Sequence, residues 1–211
     1  MSTRQKFTGL ILVVFFACCI GCSHVENYFD DIVKEKGISK EYLNVLNRWT
    51  RAETIYSQFE TRVHISATYK TREFNQAYLK EYARIYHLTD AEKKVRDDMQ
   101  MDLASDFTEF LFYAYTPEKE SNDFSRQDSI WTIFLLDEKG NRIEPVEVRK
   151  IEKITPLITE FYPYVNQYYG MFYSLKFPPL AGPDGKPGDV KGKQMKLVFA
   201  SVLGKVELEW K

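Results

Sequence analysis

The clearest pattern in the chain runs from Phe59 to Tyr69. There Phe59, Thr61, Val63, Ile65, Ala67 and Tyr69 alternate with Glu60, Arg62, His64, Ser66 and Thr68. A period of two over that length predicts a half-buried β-strand, because successive side chains of a strand point to opposite faces. The period then changes. Phe74, Ala77, Tyr78, Tyr82, Ile85 and Tyr86 recur at helical spacing and predict a helix over Glu73–His87 with a broad apolar stripe. Thr89-Asp90-Ala91-Glu92 is a capping box, in which hydroxyl and carboxylate each satisfy a backbone N–H that a helix start leaves free. It predicts a second helix to about Ser105, with Ala91, Val95, Met99 and Leu103 as its packing seam. The short connection makes the two helices an antiparallel hairpin, at about 73–105.

After the hairpin the chain reads as strands. Phe107–Tyr115 is dense in aromatics, and Ile130–Leu136 is an apolar run closed by a Gly140-Asn141 turn. Pro145–Ile151 alternates weakly, and its proline predicts a sheet edge, since proline cannot donate to a ladder. Thr155-Pro156 opens a brief helix through Phe161. Met171–Phe177 is a strand, and Met195–Ala200 with Lys205–Trp210 form a terminal hairpin around Gly204. Between them, four prolines and four glycines mark Pro178–Lys193 as a long loop. Ahead of all this, short helices are predicted over Ser23–Lys36, stopped by Gly37, and over Ser39–Trp49, with Tyr42, Leu46 and Trp49 on one face. The sum is a mainly β fold with α: an Ig-like antiparallel β-sandwich of about seven strands. The helical hairpin is inserted after the first long strand, and short helices lie at the N-terminus.

The N-terminus changes the picture. Met1–Lys6 carries Arg4 and Lys6 and no acid, and an apolar run from Phe7 to Ile20 follows. This is the layout of a secretory leader, shorter than the roughly 20 apolar residues a membrane span needs. It ends in Ile20-Gly21-Cys22, which resembles the lipobox of bacterial lipoproteins. That resemblance implies cleavage between Gly21 and Cys22 and acylation of Cys22, with Cys19 standing where the family usually has Leu. Ala17-Cys18 is a second, weaker junction, and an ordinary secretory cut near Gly21 is the plain alternative. All three cysteines, Cys18, Cys19 and Cys22, sit at this junction, so the exported body holds no disulfide and depends on its core. The chain then divides into a leader (1–21), a tether with short helices (22–52) and a sandwich domain (53–211). Ser23, in place of the Asp that retains enteric lipoproteins at the inner membrane, points to outer-membrane sorting. The expected place is the cell envelope, lipid-anchored at the outer membrane and facing the periplasm.

Charge and chemistry narrow the function. The formal net charge is −1 and becomes more negative once the basic leader is removed, which argues against nucleic acid and leaves lipid as the membrane contact. The three histidines are His24, His64 and His87, and H-x-x-x-H, H-E-x-x-H and C-x-x-C are absent, so no metal or cofactor site is expected. No G-x-S-x-G elbow accompanies His64 or His87, and no catalytic residue is assigned. Asp98, Asp102 and Asp106, with Asp97 beside them, lie along one helix face, which reads as solvated surface and makes no cleft. No Gly-rich phosphate loop joins a strand to a helix. The surplus is aromatic: Tyr162, Tyr164, Tyr168 and Tyr169 crowd one segment and form either sandwich core or a binding patch.

As a whole the chain resembles the small lipoproteins of Gram-negative bacteria, on the Ile20-Gly21-Cys22 motif and the layout of a Val63–Lys70 strand, an Ala/Tyr-rich helix and an all-β half with Trp131 and Phe161-Tyr162-Pro163. The resemblance brings localisation and no functional residue. The expected role is a non-catalytic binding or structural module with an envelope protein or glycan partner. Two alternatives stand: a carrier of a small apolar ligand between hairpin and sandwich, and an envelope hydrolase.

Overall fold

In the computed structural model the described residues are 37–57, 59–118, 121, 123–180 and 194–211, with the side chains of 101–105 left aside. The expected leader with its Gly21–Cys22 junction, the helix expected within 23–36 and most of the 178–193 loop lie outside them. The chain divides at Lys40/Glu41, and the unit from Glu41 to Lys211 carries the fold. In order its elements are α1 (Lys40–Trp49), β1 (Thr50–Ser57), β2 (Glu60–Tyr69), α2 (Arg72–Tyr86), α3 (Asp90–Asp106), β3 (Thr108–Tyr115) and β4 (Thr132–Leu136). There follow β5 (Arg142–Ile143), β6 (Glu147–Lys150), α4 (Pro156–Phe161), β7 (Met171–Phe177), β8 (Met195–Ser201) and β9 (Gly204–Trp210).

The strands form two antiparallel sheets, ordered β1-β2-β3-β7-β6 and β5-β4-β8-β9. The mainly β sandwich with helices is therefore as expected, with nine strands among the described residues where about seven were read. Period two explains the inner faces. Val63, Ile65, Ala67 and Tyr69 of β2 meet Phe110 and Phe112 of β3, Tyr173, Leu175 and Phe177 of β7, and Leu197, Phe199, Val206, Leu208 and Trp210 of the other sheet. Phe112 stacks on Tyr173 with centroids 4.7 Å apart, and Tyr69 on Phe110 at 4.9 Å. Burying these rings supplies most of the driving force, at about 25 cal/mol per Å² of apolar surface. As the proline predicts, β6 is an edge.

The outer face of the larger sheet departs from the half-buried expectation. Ser66 and Thr68, on the polar side of β2, are as buried as its apolar residues. The reason is a third layer. Tyr42 and Leu46 of α1, Phe74 and Leu79 of α2 and Phe161 of α4 are buried, and Tyr162 packs on Phe172 of β7 at 5.4 Å. Tyr42 donates its hydroxyl to the Phe161 carbonyl at 3.0 Å. The helix α1, read as part of the tether, thus holds buried side chains of its own. The polar strand residues are satisfied in turn: Thr50, Thr68 and Tyr164 form a hydroxyl chain with links of 2.7 and 2.8 Å.

The capping box of α3 forms, with Thr89 N donating to Glu92 Oε2 at 2.8 Å and Glu92 N to Thr89 Oγ1 at 3.3 Å. Of the expected packing seam, the Leu103 side chain lies outside the description and the other three residues do not pack. Val95 and Met99 are 54 % and 62 % exposed, and Ala91 faces solvent with them. One tie to α2 is a cation–π contact: the Arg96 guanidinium lies 4.9 Å over the Tyr82 ring. One column of small apolar residues is too narrow a stripe to compete with the Tyr78-Tyr82-Tyr86 ladder beside it.

The unread strand β1 is held from far along the chain. Arg51 Nε donates to the Glu209 carbonyl at 2.9 Å, Glu207 N to Glu53 Oε2 at 2.9 Å, and Trp210 Nε1 to the Trp49 carbonyl at 3.0 Å. Side chains so cover the edge where β1 meets β9, which guards both edges against stray pairing. Gly204, at φ +136, lets the β8–β9 turn approach Ile55, whose Cδ1 would stand 2.8 Å from an added Cβ.

Candidate functional site

At one end of the larger sheet the outer face opens onto a groove. Register sets what is displayed there. Thr54 of β1 faces His64 of β2, which faces Tyr115 of β3, and Ser66 faces Tyr113 in the next row. Thr54, His64, Tyr113 and Tyr115 form the floor of an open groove of about 460 Å³, which Tyr56, Thr61, Asn166 and Tyr169 also line. A bulge between Ile55 and Tyr56 shifts the register at the groove's mouth, and Tyr56 is exposed there.

One wall is the segment after α4, and it divides the four tyrosines singled out in the sequence. Tyr162 is buried against Phe74 and Phe172, and Tyr164 shares its hydroxyl with Thr68. These two anchor the segment as core. Tyr168 and Tyr169 are 81 % and 67 % exposed, and only Tyr169 lines the groove, edge-on to Tyr115 at 6.4 Å. Asn166 shapes the turn between them. Its Oδ1 accepts from Tyr168 N at 3.0 Å, and its carbonyl accepts from Gly170 N at 3.3 Å. Gly170 is required for the close approach to the floor. A Cβ there would lie 2.4 Å from Tyr113 Cζ and 2.5 Å from the Ala114 carbonyl oxygen.

The groove carries no formal charge on any of its eight lining residues, in a chain that is 28 % charged. His64 is the one ambiguous group. Burial holds its imidazole below the usual 6.5, so it is neutral at pH 7. Its Nδ1 pairs with Thr54 Oγ1 at 2.7 Å and its Nε2 with Ser66 Oγ at 2.9 Å, one nitrogen donating and the other accepting. Tyr113 is buried, which pushes its phenol up to about 12, while the Asn166 backbone N–H pulls the other way.

A serine beside a histidine invites comparison with a hydrolase. Nucleophilic catalysis needs an accessible hydroxyl and a base oriented by a group that stabilises the imidazolium. Ser66 is 2 % exposed, and the far nitrogen of His64 meets the neutral Thr54 hydroxyl. His87 sits elsewhere, exposed at the left-handed C-cap of α2. Among the described residues no group of three or more His, Cys, Asp or Glu could hold a metal, and Asp98 and Asp106 lie exposed on α3. The expected place for an apolar ligand is between the hairpin and the sandwich; on the α2 side of it, Phe74 and Tyr78 are in ring contact with Tyr42, Phe161 and Tyr162. Among the described residues no helix is long and apolar enough to cross a membrane.

Thr54, Tyr56, Thr61, Tyr113, Tyr115 and Asn166 were not singled out by the sequence. His64 was, on the right face of its strand, but its neighbours come from strands whose pairing the sequence does not announce. No protein-family profile matches the chain, and no curated protein does. Among solved structures, a protein of unknown function from Burkholderia pseudomallei K96243 is similar over 88 % of each chain, at 10 % identity and a TM-score of 0.38.

Proposed function

We propose that this chain is a lipid-anchored lipoprotein of the cell envelope, acting as a non-catalytic binding module that presents the tyrosine-lined groove to a partner. The address rests on the basic leader, the apolar run and Ile20-Gly21-Cys22. The role rests on one observation above others: an open, uncharged, aromatic groove whose walls are held by buried anchors while Tyr56 and Tyr169 stand free in solvent. Aromatic side chains with an apolar face and a polar tip carry much of the energy in recognition sites, and exposing them costs solubility unless they are used. Outer-membrane placement facing the periplasm follows from Ser23 and the lipid signal.

Photo-crosslinking in the native envelope tests the reading. A benzophenone side chain replaces Tyr168, beside the groove, and in a control replaces Lys94 on α3. An adduct from position 168, absent from position 94 and lost in Cys22→Ala, is the expected result. Equal or absent labelling at both positions would count against the groove as a binding surface.

A further inference from the structure

Resting on that reading, we infer that the groove takes a neutral oligosaccharide. Six of its eight lining residues carry a hydroxyl, and a seventh, Asn166, carries an amide. Two of the hydroxyls are committed within the protein, Thr54 to His64 and Tyr113 to the Asn166 backbone. Tyr56, Thr61, Tyr115 and Tyr169 keep theirs for a ligand. The same tyrosines offer ring faces and edges. A pyranose combines an apolar C–H face with a rim of hydroxyls, so it matches both chemistries at once and asks for no counter-ion.

Other ligand classes fit less well. A charged peptide or an acidic glycan would find no opposite charge in the lining. An extended peptide adding to a sheet needs a free strand edge, and Arg51 and Glu53 of β1 are tied to β9, with Trp210 of β9 bound to Trp49 just ahead of β1. An anionic membrane surface calls for basic residues, and the lining has none. A lipid chain needs an enclosed cavity, whereas this groove is open. Its size of about 460 Å³ falls within the roughly 300–1,000 Å³ of small-ligand sites. The Gly170–Tyr113 approach and the Asn166 turn hold the walls in advance, which lowers the ordering cost of binding.

The test is calorimetric titration of the full chain, solubilised in a zwitterionic detergent free of sugar. The probes are neutral tetrasaccharides of glucose, galactose, mannose and N-acetylglucosamine, with tetragalacturonate as the acidic comparison. At least one neutral probe is expected to bind with an affinity unchanged by salt, and tetragalacturonate not to bind. Tyr169→Ala should weaken binding about tenfold with the melting temperature retained, as for an aromatic anchor of a recognition site. Tyr86→Ala, on the hairpin, should leave it unchanged. If no neutral probe binds but position 168 crosslinks to an envelope protein, the ligand class is wrong and the binding-module reading stands. If neither occurs, both fall.

Discussion

Gly170→Ala separates crowding from backbone strain. Gly170 is not among the glycines at positive φ, so alanine suits its backbone, but the new methyl meets Tyr113 Cζ at 2.4 Å and the Ala114 carbonyl oxygen at 2.5 Å. Tyr113 could tilt only by leaving the Asn166 N–H and exposing a buried ring. Ala114 lies opposite Met171 in the β3–β7 ladder, so its oxygen has little freedom to move. Overpacking of a fitted site typically costs about 1–3 kcal/mol. With a backbone atom in the clash, the upper half of that range is expected, about 2–3 kcal/mol. For a domain of this size that is a fall in melting temperature of about 4–12 °C. Gly140→Ala is the contrasting control. Its φ of +80 strains alanine, yet nothing lies within 4 Å, so the cost should be only about 1 kcal/mol. Urea unfolding gives both values, and near-ultraviolet circular dichroism reports the tyrosines of the groove. A Gly170→Ala variant within about 0.5 kcal/mol of the parent, the range of an ordinary surface change, would refute the packing of the 162–170 segment on the sheet.

Three further outcomes follow from the same contacts. His64 should titrate by NMR below the ordinary 6.5, because burial disfavours its charged form. Its contribution to stability is complete above that pH and is lost as pH falls through 6.5 toward the folded value, so a measured value at or above 6.5 would contradict the hydroxyl-paired neutral ring. Burial raises Tyr78 and Tyr113 to about 12, and Tyr42, Tyr162, Tyr164 and Tyr173 lie above the ordinary 10.0 as well. Since the neutral phenol is favoured in the fold, stability should hold below pH 10 and drop above it, with phenolate absorbance rising together with loss of structure; phenolate formation at the ordinary value with the fold intact would count against these burials. Thr89→Ala should cost about 1 kcal/mol by removal of the cap of α3. Hydrogen exchange that is unchanged in the first turn of α3 would refute the capping role.

Legibility in the sequence followed the range of the interactions. The strand β2 was readable because its period is local, and so were the capping box, the Pro156 helix start and the edge at Pro145. The strand β1 was not, because TRAETIYS has no alternation and its ties run from Trp49 and Arg51 to Trp210 and Glu209. Periodicity found the Ala91, Val95, Met99 column of α3 but cannot say whether anything covers it. In the tyrosine segment there is no period at all. Tyr162 and Tyr164 differ from Tyr168 and Tyr169 only because the turn at Asn166 carries the latter pair out of the core. The groove floor joins Thr54, His64 and Tyr115 by register across three strands, and register is a property of the folded sheet.

Tyrosine footprinting tests the central claim most directly. Tyr169 and Tyr86 are both well exposed, one on the groove and one on the hairpin, so each reports on its own surface within a single experiment. Iodination of the purified chain should label both. In the intact envelope, the account predicts that Tyr169 is protected while Tyr86 is labelled as before. Equal labelling of Tyr169 in both preparations would mean that nothing occupies the groove where the protein works, and would contradict the account.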